Sequence, residues 1–312
     1  MKPDIFNLAR RSFLKGLTGL GVALVLRPHA VSALTQSAII RPIPSTGERL
    51  PVIGMGSWQT FDVDDDSDAH AVRARVLQAF FDNGGTLIDS SPMYGSSEEV
   101  IGYCLNQIKK TSLLFSATKV WILGKQFGIN QMQNSEALWR ISGFDLMQIH
   151  NMLDWETHLE TLRDWKKEGR IRYIGITTSH GRRHEKLEEA LTKESFDFVQ
   201  FTYNILDREA EQRLLPLAAE RGIAVIVNRP FQHGDLFHYT EGKHLPKWAH
   251  EIDCNNWAQF LLKFIVSHPA VTCTIPATSR VDHMQENMVA GYGQLPDARM
   301  RLKMIQYFEN LK

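Results

Sequence analysis

Six polar residues stand at or just beyond the ends of six short apolar runs: Asp89, Lys119, His150, Thr177, Gln200 and Asn228. A seventh, Tyr94, follows Asp89 by five residues. A carboxylate, an ammonium, an imidazole and a phenol form a set that can move protons and stabilise developing charge. Singly, each has a plainer reading. His150 could be a hydrogen-bonded core imidazole, Lys119 a chain that snorkels to solvent, and Asp89 a helix cap or half of a structural ion pair. Asp89 in particular needs a cationic partner if its strand is buried, because an unpaired buried charge is costly. Three such residues together with a tyrosine favour a site.

The elements that must position them begin with residues 86–102, TLIDSSPMYGSSEEVIG. A short apolar run ends at Asp89, Tyr94 lies in the loop above it, and a helix opens at the serine and glutamate run. Ser96 and Glu99 have the spacing of a capping box, and Ile101, Cys104, Leu105 and Ile108 recur at helical intervals. The same unit repeats. Predicted strands at 51–55, 86–89, 113–118, 146–150, 173–177, 198–201, 224–227 and 272–275 alternate with predicted helices at 69–81, 98–108, 135–141, 156–167, 184–191, 208–220, 257–266 and 281–290. A last helix is expected at about 297–311. Gly84, Gly169 and Gly222 fall just past helices, where a left-handed cap is wanted. Eight strand–helix units in one domain predict a closed (β/α)8 barrel, also called a TIM barrel. A doubly wound open sheet is the alternative, but no Gly-x-Gly-x-x-Gly turn follows any strand. In a barrel the strand ends converge on one face, which is where activity is built.

Bulk composition narrows the partners. The chain has 312 residues, 43% of them apolar, enough for one sizeable core. Thirty-five basic and 35 acidic side chains give no net field to favour nucleic acid or an anionic membrane, so a small molecule is the expected partner. Cys104, Cys254 and Cys273 are too scattered for a disulfide framework or zinc site. His180 and His184 have ligand-pair spacing but no evident third ligand, and they are read as the start of a solvated helix; no metal is expected. No Gly-x-Ser-x-Gly turn supports serine hydrolysis. A glycosidase would need a second carboxylate beside Asp89, and none appears at the strand ends.

Residues 1–33 are expected to be a signal peptide. Arg10-Arg11-Ser12-Phe13-Leu14-Lys15 precedes an apolar stretch, residues 16–26, that is too short to span a bilayer stably, with Arg27 after it. The paired arginines resemble a twin-arginine export signal, and Val31-Ser32-Ala33 suits a signal peptidase; an ordinary secretory signal or uncleaved anchor is the alternative. Residues 34–46 read as a linker and 47–312 as the barrel. The twin-arginine machinery is then a partner and the periplasm the destination, with the cytoplasm the location if the signal is not used. No stable membrane insertion is expected after cleavage.

Several stretches together resemble the aldo-keto reductase family: 51–58 (PVIGMGSW), 89–102, 117–121 (ATKVW), 148–150 (QIH), 174–177 (IGIT) and Glu286-Asn287. The likeness runs in order from about residue 50 to 290. It implies a barrel that binds NADP(H), with NAD(H) admissible, and a catalytic tetrad falling on Asp89, Tyr94, Lys119 and His150. On that reading an aldehyde or ketone is reduced to an alcohol, or the reverse. Tyr94 is the general acid, Lys119 moves its pKa down, Asp89 fixes Lys119, and His150 orients the substrate oxygen. The resemblance also implies cofactor contacts at Gly56, Ser57, Thr177, Thr178, Gln200, Asn228, Arg229, Pro230, Thr278, Arg280, His283, Glu286 and Asn287. Thr177-Thr178 replaces the usual Ser-Asn, and Asn228-Arg229 stands where the family commonly has an aromatic ring. Arg229 is expected either to reach the cofactor or to sit on the rim. Arg280 favours the 2′-phosphate of NADPH, while Ala277 and His283 depart from the usual basic residues. Trp58, Met93, Trp121, Asn151 and Phe231 are expected to line the substrate pocket. The rival function is a nicotinamide-binding sensory or regulatory protein with little turnover.

Overall fold

The structure is a computed structural model that describes residues 37–311. The expected signal peptide and the first residues of the expected linker lie outside the described residues. From Ile40 onward the supposed linker is instead part of the fold. β1 (Ile40–Pro42) pairs antiparallel with β2 (Arg49–Pro51), and the intervening Ile43 is fully buried. The short polar stretch around Ser45-Thr46-Gly47 is a hairpin turn, with Gly47 at φ 78° accepting the left-handed geometry.

The eight parallel strands follow: β3 (Met55–Gly56), β4 (Leu87–Asp89), β5 (Phe115–Val120), β6 (Leu146–Ile149), β7 (Tyr173–Thr177), β8 (Phe198–Thr202), β9 (Ala224–Asn228) and β10 (Cys273–Thr274). Each pairs with its sequence neighbour. The ring closes through a parallel bridge between Ile53 and Thr274, with the Gly54 N–H donating to Thr274 O at 2.9 Å. The helices are α1 (Ser67–Asp82), α2 (Ser97–Ile108), α3 (Lys125–Trp139), α4 (Trp155–Lys167), α5 (His184–Lys193), α6 (Leu214–Arg221), a short α7 (Asp235–His238), α8 (Trp257–Val266), α9 (Val281–Val289) and α10 (Ala298–Glu309). The eight-unit barrel expected from the alternation is the fold observed.

Two apolar regions form because alternate strand residues point to opposite faces. Inward residues Leu87, Phe115, Leu146, Tyr173, Phe198 and Ala224 join Ile43 and Leu50 of the hairpin, so the hairpin's apolar side chains pack with the lower barrel interior. Outward residues such as Ile88, Val120, Met147, Ile174, Val199 and Val225 belong to the larger core shared with the helices. Continuing the inward alternation upward gives Asp89, Lys119, Gln148 and Gln200. The interior is thus apolar at one end and polar at the other.

Side-chain caps account for three helix starts, and one expected cap is absent. Asp66 caps α1 by accepting from the Asp68 and Ala69 N–H groups, and Asn256 and Asp297 cap α8 and α10 in the same way. Ser96, expected to close a capping box with Glu99, makes no cap hydrogen bond to α2. Its hydroxyl is taken by the preceding loop instead: it accepts from the Val63 and Asp64 N–H groups and donates to Asp62. That trade pins the 89–97 loop, which carries Tyr94, to the segment after β3.

Candidate active site

The carboxylate of Asp89, only 1% exposed, is the hub. Lys119 Nζ donates to its Oδ2 at 2.5 Å, while the Gln148 and Gln200 amides donate to Oδ1 at 2.8 and 3.0 Å. Three strands, β5, β6 and β8, therefore converge on the end of β4. Gly175 makes the room: a Cβ there would lie 2.7 Å from the Gln148 side chain. Lys119 also donates to Ser90 O at 2.7 Å, so the fully buried ammonium has its charge paired and its position fixed. Burial alone would lower its pKa, but the Asp89 and Tyr94 side chains outweigh that and raise it, so Lys119 is a cation.

Above this pair, Lys119 Nζ lies 5.1 Å from the centre of the Tyr94 ring, and Tyr94 meets His150 edge-on at 5.7 Å. Burial holds the Tyr94 phenol above its ordinary pKa, and the field of Lys119 recovers only part of the shift. The expected net lowering is therefore not what the site produces. His150 is pushed down to about 2 by burial and by Lys119, which makes it a neutral imidazole. Its Nδ1 is 2.8 Å from Ser91 Oγ, and that hydroxyl oxygen also accepts the Met93 N–H at 3.4 Å. In the tautomer where Ser91 donates to Nδ1, the imidazole proton is on Nε2.

A cavity of about 610 Å³ opens over this group. Asp89, Tyr94 and His150 line it; Lys119 does not, and is buried against Asp89 and Tyr94. Of the expected cofactor contacts, Gly56, Ser57, Thr177, Thr178, Gln200, Asn228, Arg229, Pro230, Thr278, His283, Glu286 and Asn287 all line it. Arg280 does not: its exposed guanidinium pairs with Asp282 at the surface. Trp58, Met93, Asn151 and Phe231 line the cavity as expected, whereas Trp121 belongs to a neighbouring groove of about 360 Å³ that shares Asn151.

Two details bear on whether a dinucleotide fits. Arg229 takes a left-handed backbone at φ 52°, and its Nη1 is buried without a partner, so an unused N–H donor stands at the cavity wall. Thr178 Oγ1 is likewise buried and unpaired. A guanidinium suits a diphosphate, and a hydroxyl suits a carboxamide. Asn228 is spoken for: it donates to Thr178 O at 2.9 Å and accepts from Thr202 at 2.8 Å, which makes it a brace for the Thr178 loop.

Trp257, Asn256 and His233 are among the wall residues that the sequence pattern did not point to. Trp257 and Asn256 open α8, and only the chain's return brings them to the cavity. His233 packs on Trp58 with ring centres 4.2 Å apart. It follows Arg229-Pro230-Phe231 in a loop with left-handed residues at Gln232, His233 and Gly234, and that loop's place after a strand end was the available signal. His180, read as helix decoration, also lines the cavity, while its supposed companion His184 pairs with Glu209 at 3.3 Å.

A closed parallel barrel whose polar site sits at the carboxyl ends of its strands defines a (β/α)8 enzyme architecture. Comparison with known proteins narrows this. The profile of the Aldo/keto reductase family matches residues 52–302, and the chain belongs to that family. Among relatives, methylglyoxal reductase YeaE of Escherichia coli is 26% identical over 265 residues, covering 81% of this chain and 89% of its own. The holo form of aldo-keto reductase AKR11C1 from Bacillus halodurans superposes with a TM-score of 0.72 at 20% identity, over 87% of this chain and 96% of its own. The aldo/keto reductase from Klebsiella pneumoniae, solved with NADP and acetate, gives a TM-score of 0.68 at 22% identity, over 84% and 93%.

Proposed function

We propose that the protein reduces a small aldehyde or ketone at the expense of NADPH, or NADH, with Tyr94 as the proton donor. The observation that carries the reading is the stack of Asp89, Lys119 and Tyr94 beside a neutral His150. When bound, the reduced nicotinamide supplies the hydride. Every other requirement falls to the chain. His150 and Tyr94 both line the cavity; His150, as the Nε2–H tautomer, and the Tyr94 hydroxyl donate to the carbonyl oxygen as negative charge develops there. Tyr94 then transfers its proton, and the adjacent Lys119 ammonium stabilises the phenolate left behind. Asp89, braced by Gln148 and Gln200, keeps Lys119 from moving away.

Arg229 would hold the diphosphate and Thr178 the carboxamide, with Thr278, His283, Glu286 and Asn287 at the adenosine end. The Arg280–Asp282 pair is exposed and weak, and Ala277 and His283 depart from the usual basic residues, so both cofactors are expected to bind. NADPH fluorescence titration of the purified protein tests binding. In the Tyr94→Phe variant, kcat for a carbonyl substrate should fall by a factor of about 100 or more while the cofactor Kd stays near the wild-type value. Retained turnover would remove Tyr94 from the role.

The arginine pair and apolar stretch near the amino terminus support export by the twin-arginine route to the periplasm. Among the described residues, no helix is long and apolar enough to cross a membrane. Fractionation of cells expressing the full chain tests the location.

A further inference from the structure

Beside the catalytic cavity lies the second groove, and its charge is one-sided. Asn151, Thr178, Ser179 and His180 are common to both spaces. The groove adds Trp121 and Leu153 as an apolar floor, and Arg182 and Arg183 as its only charged lining. Among the described residues neither arginine forms an ion pair with a carboxylate. Arg183 is anchored by donating to Asn151 O, one residue from His150. Arg182 is exposed and holds no side-chain partner. The acids near this loop are otherwise placed: Glu209 takes His184, and Asp207 lies close to Gly181 without pairing with either guanidinium.

The wider surroundings sharpen the asymmetry. Asp89 is the one carboxylate at the reacting end of the main cavity, and Lys119 neutralises it. Glu286 belongs to the far end with Asn287. The chain as a whole carries no excess of positive charge, so the arginine pair is not part of a generally basic surface. The two residues also precede α5, a ten-residue helix whose amino end already disfavours cations. No carboxylate in the groove offsets that cost. An anionic ligand there would.

We propose that this groove is a specificity subsite for an anionic group on the substrate, so that the preferred substrate is a carbonyl compound bearing a carboxylate or phosphate on an apolar or aromatic body. The proposal rests on the reductase reading above. With the carbonyl oxygen at Tyr94 and His150, the body extends past Asn151 and lies along Trp121, which is 39% exposed and so available for contact. The anion then reaches Arg182 and Arg183, whose planar donor sets match either oxyanion. In the reaction the carbonyl carbon gains hydride from the reduced nicotinamide and the oxygen gains a proton; the remote anion makes and breaks no covalent bond.

The test compares 4-formylbenzoate, 4-formylphenyl phosphate and the neutral methyl 4-formylbenzoate as substrates of the full-length enzyme with NADPH. Wild type should favour at least one anion over the ester by about tenfold in kcat/KM, expressed mainly in KM, since one charge-assisted contact is of that size. Whether the carboxylate or the phosphate gains more identifies the source of the anion. In Arg182→Gln/Arg183→Gln the ratio should collapse to within about twofold, and Arg182→Lys should keep part of it. Added salt should erode the preference in wild type, because the arginines are exposed. Equal kcat/KM for all three aldehydes in wild type would overturn the subsite while leaving the reductase reading intact. A preference that survives the double substitution would remove these arginines from it. No turnover of any of the three, despite bound NADPH, would overturn the reductase reading and the subsite together.

Discussion

The protonation of His150 sets what the site can do, and it leaves a signature in stability. The imidazole is 5% exposed and its pKa falls from 6.5 to about 2, through burial first and the Lys119 charge second. Between those values the unfolded chain binds a proton that the folded chain refuses. Stability therefore falls as pH drops through this window and is recovered above the unfolded value. At pH 5 the unfolded group lies about 1.5 pH units below its midpoint, and each unit is worth about 1.4 kcal/mol, giving about 2 kcal/mol from this residue. The assay is urea unfolding of wild type and His150→Gln at pH 7.5, 6 and 5. The difference between the two curves cancels the other histidines and the carboxylates. Wild type should lose about 2 kcal/mol relative to the variant between pH 7.5 and pH 5. Parallel curves would mean that folded His150 is protonated at pH 5, and the neutral Nε2–H donor would have to be abandoned.

Other perturbations probe other parts of the fold. Lys119→Met should cost about 3–5 kcal/mol, because it strands a buried carboxylate, and Asp89→Asn in the same chain should recover most of the denaturation midpoint although turnover stays lost. Arg229→Ala should weaken NADPH binding by about tenfold in a fluorescence titration, the value of one charged hydrogen bond; an unchanged Kd would place Arg229 on the rim. Gly102→Ala should destabilise by about 3 kcal/mol, since a Cβ there would sit 1.9 Å from Leu138 O where α2 packs on α3, and a Tm equal to wild type would contradict that packing. Replacing Arg10 and Arg11 together by lysine should leave precursor in the cytoplasm; normal export would reduce the pair to ordinary signal charge.

What could be read from the sequence was what periodicity and strand-end position constrain. The expected strand at 173–177 has the observed limits, and seven of the other runs lie within a few residues of their elements. Lys119, expected just past its strand, is inside β5. An interior lysine looks like a boundary until its partner is known, and Asp89 lies thirty residues back on another strand. The front of α3 was unreadable for a different reason. Its buried face is Gly128, Met132, Ser135 and Trp139, so two of the four positions that mark the helical period are not apolar. Gly128 is small because His158 packs there, at 2.4 Å from where a Cβ would stand. Ser135 is polar because it donates to the buried carboxylate of Glu98, which also accepts from Thr118 and Trp139. Contacts made across helices wrote that pattern, and no local rule recovers it.

The ionisation states were the least legible part, and they follow from one cause. A sequence shows that Lys119 can approach Tyr94, and Coulomb attraction alone then predicts a lowered phenol. It does not show how much water the fold removes. In the folded protein, desolvation is the largest influence on both Tyr94 and His150, and it favours the neutral form of each. For the phenol that means a raised pKa, and for the imidazole a lowered one. Lys119 opposes the first shift and reinforces the second. Two neutral donors thus stand beside a cation whose own charge is secured by Asp89. This is the arrangement that the proposed proton delivery calls for: neither donor carries a charge that binding must first desolvate, and the charge that develops on the carbonyl oxygen, and then on Tyr94, falls within the field of Lys119.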